Sequence, residues 1–180
     1  MRVNTLVLPA VVGLLGLGCW AALASRLPVV LLPGPVEVAE RAWAARAMLA
    51  EAGLQTAMAS VGGLILACVG GAVGAVLFLR SRALELGLYP YALLLQTLPI
   101  VAIAPLLIVW LGYGWPVALV SATIVAFFPM LSGMHVGLRA VSREQLELMR
   151  LLRASWWQEL RVLRIPAALP HALAGLRTAG

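Results

Sequence analysis

The side chains able to do chemistry are few. The 180 residues hold two cysteines, two histidines and seven acids, every one a glutamate. Lysine and aspartate are absent. A P-loop needs a lysine to reach the phosphates, so ATP hydrolysis by that route is closed to this chain. No Ser/His/Asp or paired-carboxylate arrangement points to catalysis. Cys19 and Cys68 lie in apolar runs without metal-ligand spacing, and packing is their expected role. His135 and His171 are isolated near the ends of apolar runs, which suits interfacial packing better than a metal or a proton relay. No metal or cofactor site is expected. The chemistry that remains is that of arginine, concentrated in "ELMRLLRASWWQELRVLRIP" at 147–166.

The rest of the chain is close to hydrocarbon. It is 63% hydrophobic and 11% charged, with mean hydropathy +1.00. A soluble domain carries about 25% charged residues, so this chain lacks the polar surface to coat a water-soluble globule. Its net charge of +6 would suggest nucleic acid in a soluble protein. Here the arginines flank apolar runs, and membrane topology accounts for them without nucleic acid.

The runs predict an all-α, polytopic membrane bundle. Residues 5–24 are uncharged and long enough to span a bilayer core of roughly 30 Å. A signal peptide is the competing reading, but the run is long for one and more spans follow. Further spans are expected at 57–79, 88–111 and 116–137. A last apolar stretch from 167 to 180 is too short to cross, so the chain reads as truncated. The domains expected are an N-terminal transmembrane helix at 1–25, an extracytoplasmic segment at 26–56 and a transmembrane domain at 57–180. Arginine placement orients them. With Arg2 inside, the segment at 26–56 is outside and balanced in charge. The turn at 80–86 and the segment at 138–166 are then inside, and both carry excess arginine.

Two spans carry more specific signals. Ala59, Gly63, Ala67, Gly71 and Ala75 recur every four residues, and Gly70-x-x-x-Gly74 adds to them. Small residues on one face let another helix approach closely. In the third span, Gln96 and Thr97 sit beside Pro99 and Pro105. A buried amide in hydrocarbon needs a partner, so Gln96 is expected to face the bundle or a water-lined cavity. A proline kink with a satisfied glutamine is the simpler account; Gln96, Thr97 and Pro99 are the candidates for a pathway. No carboxylate lies mid-membrane, which argues against a proton-driven carrier.

The segment at 147–166 reads as the end of one short helix, a turn near 153–155, and a second helix. Ser142 with Gln145, and Ser155 with Gln158, have capping-box spacing. Leu148, Leu151 and Leu152 lie to one side of the first helix, away from Arg143, Glu147 and Arg150. Trp156 and Trp157 open the second helix, and Pro166 is expected to stop it or bend it. On residues alone, two occupants stay open: anionic lipid beneath an interfacial helix, or a cytoplasmic protein that accepts apolar knobs flanked by charge.

This segment resembles the EAA loop of bacterial ABC importer permeases, E-A-A, three residues, G, nine residues, I-x-L-P. Glu147 takes the glutamate position and Leu163-Arg164-Ile165-Pro166 the terminal one, with the spacing kept. "LPGPVEV", "QTLPIVAIAPLLIVWLGYG" and "IPAALPHALAGLR" are similar to the branch that imports nitrate, taurine, alkanesulfonates and thiamine precursors. The resemblance implies a type I importer transmembrane fold lacking its last spans, and a permease subunit rather than an ATPase. It implies that Glu147, Leu148, Arg150, Leu151, Arg153, Ala154 and Ser155 meet an ABC ATPase subunit. It further implies an extracytoplasmic solute-binding protein, a second permease subunit and alternating access for a small polar or anionic solute. The sequence departs at Leu148 and Met149, which replace the alanines, and at Arg153, which replaces the glycine. A left-handed residue there costs a non-glycine roughly 1–2 kcal/mol. The rival readings are an inactive permease fragment and an unrelated membrane protein whose basic loop binds lipid.

Overall fold

The computed structural model describes residues 7–179, and all of their regular structure is helical. Arg2, used above for orientation, lies outside the described residues, as do the first residues of the run at 5–24. The chain divides into a unit ending at Gly53 and a unit beginning at Leu54.

The first unit holds α1 (Val7–Ala24), α2 (Pro35–Ala44) and the start of α3 (Arg46–Arg80). Helix α1 has no charged or buried residue. A bend-rich stretch ending at Gly34 follows, and Pro35 opens α2 at a position where its missing N–H costs nothing. The Trp20 indole donates to the Pro33 carbonyl at 3.1 Å, tying the stretch back to α1.

The second unit continues α3 and adds α4 (Arg82–Thr97), α5 (Ile100–Leu111) and α6 (Trp115–Arg139). Beyond these lie α7 (Arg143–Leu151), α8 (Trp156–Gln158), a π-helical stretch (Glu159–Arg164) and α9 (Ile165–Ala179). Helices α1, α3 and α6 are each long and apolar enough to cross a membrane. The single span expected at 88–111 is instead α4 and α5, bent by 99°. Proline explains the break. Pro99 lacks an N–H and pushes the residue before it out of helical geometry; Leu98 is extended, with ψ 122°.

Small residues set the packing. Helix α3 buries Ala59, Gly63, Ala67, Gly71 and Ala75. A Cβ on Gly63 would lie 2.6 Å from the Ala122 Cβ, and one on Gly71 would lie 2.8 Å from the Leu131 backbone nitrogen. Gly74 faces Leu131. The matched residue numbers rise together along both helices, so α3 and α6 run parallel. The chain between them must therefore return once, and the bent α4–α5 pair makes that return. Gly112 and Gly114, both at positive φ, turn the chain from α5 into α6.

Helix α9 packs on α6 in the opposite sense. Gly137 lies against Ala168, Gly133 against the His171 carbonyl, and Gly175 against the Pro129 carbonyl. Each glycine leaves under 3 Å for an added Cβ. The core lies where α3, α4, α6 and α9 meet, around Phe78, Ala92, Phe128, Leu131, Leu138, Leu160 and Ala168.

Candidate functional site

The parallel and antiparallel pairings bring the end of α3, the starts of α4 and α9, and the end of α6 to one side of the second unit. The arginines of 80–82, 139–143 and 161–164 gather there, together with α7 and α8.

Helix α7 is started and stopped by its own sequence. The Gln145 N–H donates to the Ser142 hydroxyl at 3.3 Å, and the Ser142 N–H donates to the Gln145 side chain at 3.2 Å. This reciprocal box satisfies donors that a helix start leaves free. Glu144 lies in the same first turn, where the Ser142 hydroxyl and its own backbone N–H hold its carboxyl below the usual glutamate range.

At the other end, the Arg153 N–H reaches the Arg150 carbonyl at 3.0 Å and the Ala154 N–H reaches the Met149 carbonyl at 2.9 Å. That pair of bonds is a Schellman closure, which needs a left-handed residue just past the helix. Arg153 is that residue, with φ 52°. A second capping box then starts α8: the Gln158 N–H donates to the Ser155 hydroxyl at 3.4 Å, and the Ser155 N–H to the Gln158 side chain at 2.7 Å.

The hairpin so formed presents apolar side chains outward. Leu148, Leu151 and Leu152 are 54%, 82% and 67% exposed, and Trp157 is exposed beside them in sequence with Arg161 over its ring. Glu147, Arg150, Arg153 and Ser155 are also exposed, and Ala154 is half-buried. Among the described residues Glu147 makes no ion pair, although Arg143 and Arg150 flank it on its helix.

Pro166 does not stop the second helix. The Ile165 N–H bonds to the Leu160 carbonyl, five residues back. This wider winding resets the register, so Pro166 falls in the first turn of α9, where its missing N–H is tolerated. Arg164 holds the reset in place. Its Nε donates to Glu159 at 2.6 Å and its guanidinium to the Leu138 carbonyl at 2.9 Å.

Gln96 and Thr97 end α4, and Pro99 caps α5. Gln96 is exposed on this chain, at the bend where α4 ends. It lines a cleft of about 270 Å³ with Leu98, Ile100, Ile124, Pro129 and Thr178. The Thr97 hydroxyl bonds back to the Leu94 carbonyl of its own helix.

Two features stand outside the sequence reading above. The α6–α9 contact could have been found there, from Gly133-x-x-x-Gly137. The other, a cluster of Arg82, Glu85, His135 and Arg139, joins residues about fifty positions apart, and no local pattern announces it.

Comparison with known proteins places these features in a family. Residues 49–179 match the family described as binding-protein-dependent transport system inner membrane component. A riboflavin transport system permease protein of Chloroflexus aurantiacus is 36% identical over 156 residues, covering 86% of this chain and 58% of that protein. A probable ABC transporter permease protein of Haemophilus influenzae is 31% identical over 181 residues, covering 99% of this chain and 74% of that one. A formylaminopyrimidine transport permease protein of Halalkalibacterium halodurans is 30% identical over 150 residues, covering 83% of this chain and 60% of its own length. The chain thus spans less than two thirds of two of these relatives. With its apolar helices and a match over most of its length, this multi-pass inner-membrane chain belongs to the binding-protein-dependent transport system inner membrane components, the permease subunits of ABC importers.

Proposed function

We propose that the chain forms the translocation pathway of an ATP-driven importer and that its α7–α8 hairpin docks an ABC ATPase subunit in the cytoplasm. The observation that carries this reading is the hairpin itself. It is fixed by capping at three points, yet it turns Leu148, Leu151 and Leu152 outward. Exposed leucines on a rigid, charged hairpin suit a protein groove, which takes apolar anchors and pairs the charges around them.

The orientation follows from arginine. The side that carries the hairpin is the basic one, so it faces the cytoplasm. The segment at 26–56 is then extracytoplasmic, where a solute-binding protein would deliver cargo. Relatives named for riboflavin, formylaminopyrimidine and aliphatic sulfonates support a small polar or anionic organic solute. ATP hydrolysis would reside in the partner, and a second permease subunit would complete the pathway by alternating access.

The test is copurification of the cognate ATPase subunit with the chain in detergent. Recovery with the unaltered chain and loss with Leu151→Glu is the expected result. Equal recovery from both would remove the hairpin from the interface.

A further inference from the structure

The Glu85 carboxylate lies at a junction that the hairpin reading leaves unused. It is 8% exposed, in the first turn of α4. Its Oε2 accepts from Arg139 at 2.6 Å and from Arg82 at 2.8 Å, and its Oε1 faces the His135 Nε2 at 3.2 Å. Phe78 and Tyr89 pack around the His135 ring. A carboxylate withdrawn from water persists only when its charge is paired and its lone pairs are occupied. Glu85 meets that condition through residues of α6 and its own helix.

The partners differ in what they connect. Arg82 belongs to α4, three residues from Glu85, so its bond joins α4 to itself. His135 and Arg139, the latter its last residue, both belong to α6 and join α4 to it; the charged 2.6 Å bond of Arg139 is the stronger link and the 3.2 Å His135 contact the weaker. The neighbouring carbonyl, Leu138, accepts from Arg164 at the far end of the hairpin segment. The α7–α8 hairpin is therefore tied to the foot of α6 twice, by the chain leaving Arg139 and by Arg164 returning to Leu138. One residue further along that foot, the Arg139 side chain grips α4. At its other end α4 breaks by 99° beside the Gln96 cleft. At 1.5 Å per residue, its 16 residues form a lever of about 24 Å.

We propose that Glu85 is a positioning residue: through Arg139 it pins α4 to the foot of α6, so that displacement of the hairpin reaches the α4–α5 break. The proposal rests on the docking reading above, and its test separates the two.

The measurement uses the chain in lipid nanodiscs with its cognate ATPase subunit, Cys19 and Cys68 replaced by serine, and a reporter at Leu98→Cys. Two quantities are read, ATPase binding and the change in maleimide labelling rate when ATP is added. In the parent an ATP-dependent change of about tenfold is expected, the scale of a typical coupling between sites. Glu85→Gln and Arg139→Gln should bind the ATPase as the parent does and lose that change. Arg82→Gln takes a guanidinium from the same oxygen but leaves α4 joined to α6, so it should keep the change; Arg139→Lys should restore much of it. An ATP response retained in Glu85→Gln, or lost equally in Arg82→Gln, overturns the pin. If the parent binds no ATPase, the docking reading falls, and amide exchange of the chain alone decides the pin. Faster exchange across 82–97 in Arg139→Gln but not in Arg82→Gln supports it, and equal exchange in the two overturns it.

Discussion

Arg153 holds a conformation that suits glycine. A left-handed backbone brings a Cβ close to the following carbonyl, and glycine has none. Two hydrogen bonds of the Schellman closure keep Arg153 there in spite of the cost. Arg153→Gly is therefore expected to stabilise the hairpin by about 1 kcal/mol, seen as slower amide exchange over 143–158. Faster exchange would mean that the arginine side chain contributes more than its backbone costs. The two glutamates of α7 differ in the same way. Glu144 is engaged with the helix start, whereas Glu147 is exposed and unpaired. Glu147→Ala should weaken ATPase binding by about tenfold, as loss of an interface charge contact does, and Glu144→Ala should have little effect. Reversed sensitivities in a binding titration would move the contact to the start of α7.

At the scale of helices, small residues decide what packs. Gly71→Leu would place a side chain against the backbone of α6 at Leu131, and α3 must then separate from α6. Folded yield of Gly71→Leu is expected to collapse, while Leu77→Phe, at an exposed site, should fold as the parent does. The α6–α9 contact makes a parallel forecast. Gly175→Ala meets the Pro129 carbonyl and should cost about 1–3 kcal/mol by overpacking, whereas Gly87→Ala has open space. Equal midpoints for these two in denaturant titration would contradict the packing. These faces show why some of the fold is legible in sequence. The α3 stripe and both capping boxes repeat at helical spacing, so local pattern reveals them. Gly133 and Gly137 carry the same signal in a shorter form. The break after Gln96 is less legible, because Pro99 and Pro105 announce a bend without setting its angle. Pro166 misleads, since the π-helical turn before it changes the register. The Glu85–Arg139 pair depends on two helices meeting and leaves no local trace.

For the whole molecule, direction and partner go together. Parallel α3 and α6, with α9 returning, put the arginine-rich ends on one side, and the orientation proposed above takes that side as cytoplasmic. A cysteine at Ser142 should then resist labelling from outside intact cells, and one at Ala47 should react; the opposite pattern would invert the orientation. The central claim is that the hairpin meets the ATPase. The most direct measurement places a photo-crosslinker at Leu151, the most exposed of the hairpin leucines, in membranes that hold the cognate ATPase subunit. The account predicts a crosslink to that subunit, lost when Leu148 and Leu152 are changed to glutamate. A crosslink to lipid alone, with ATPase bound elsewhere or not at all, would contradict it.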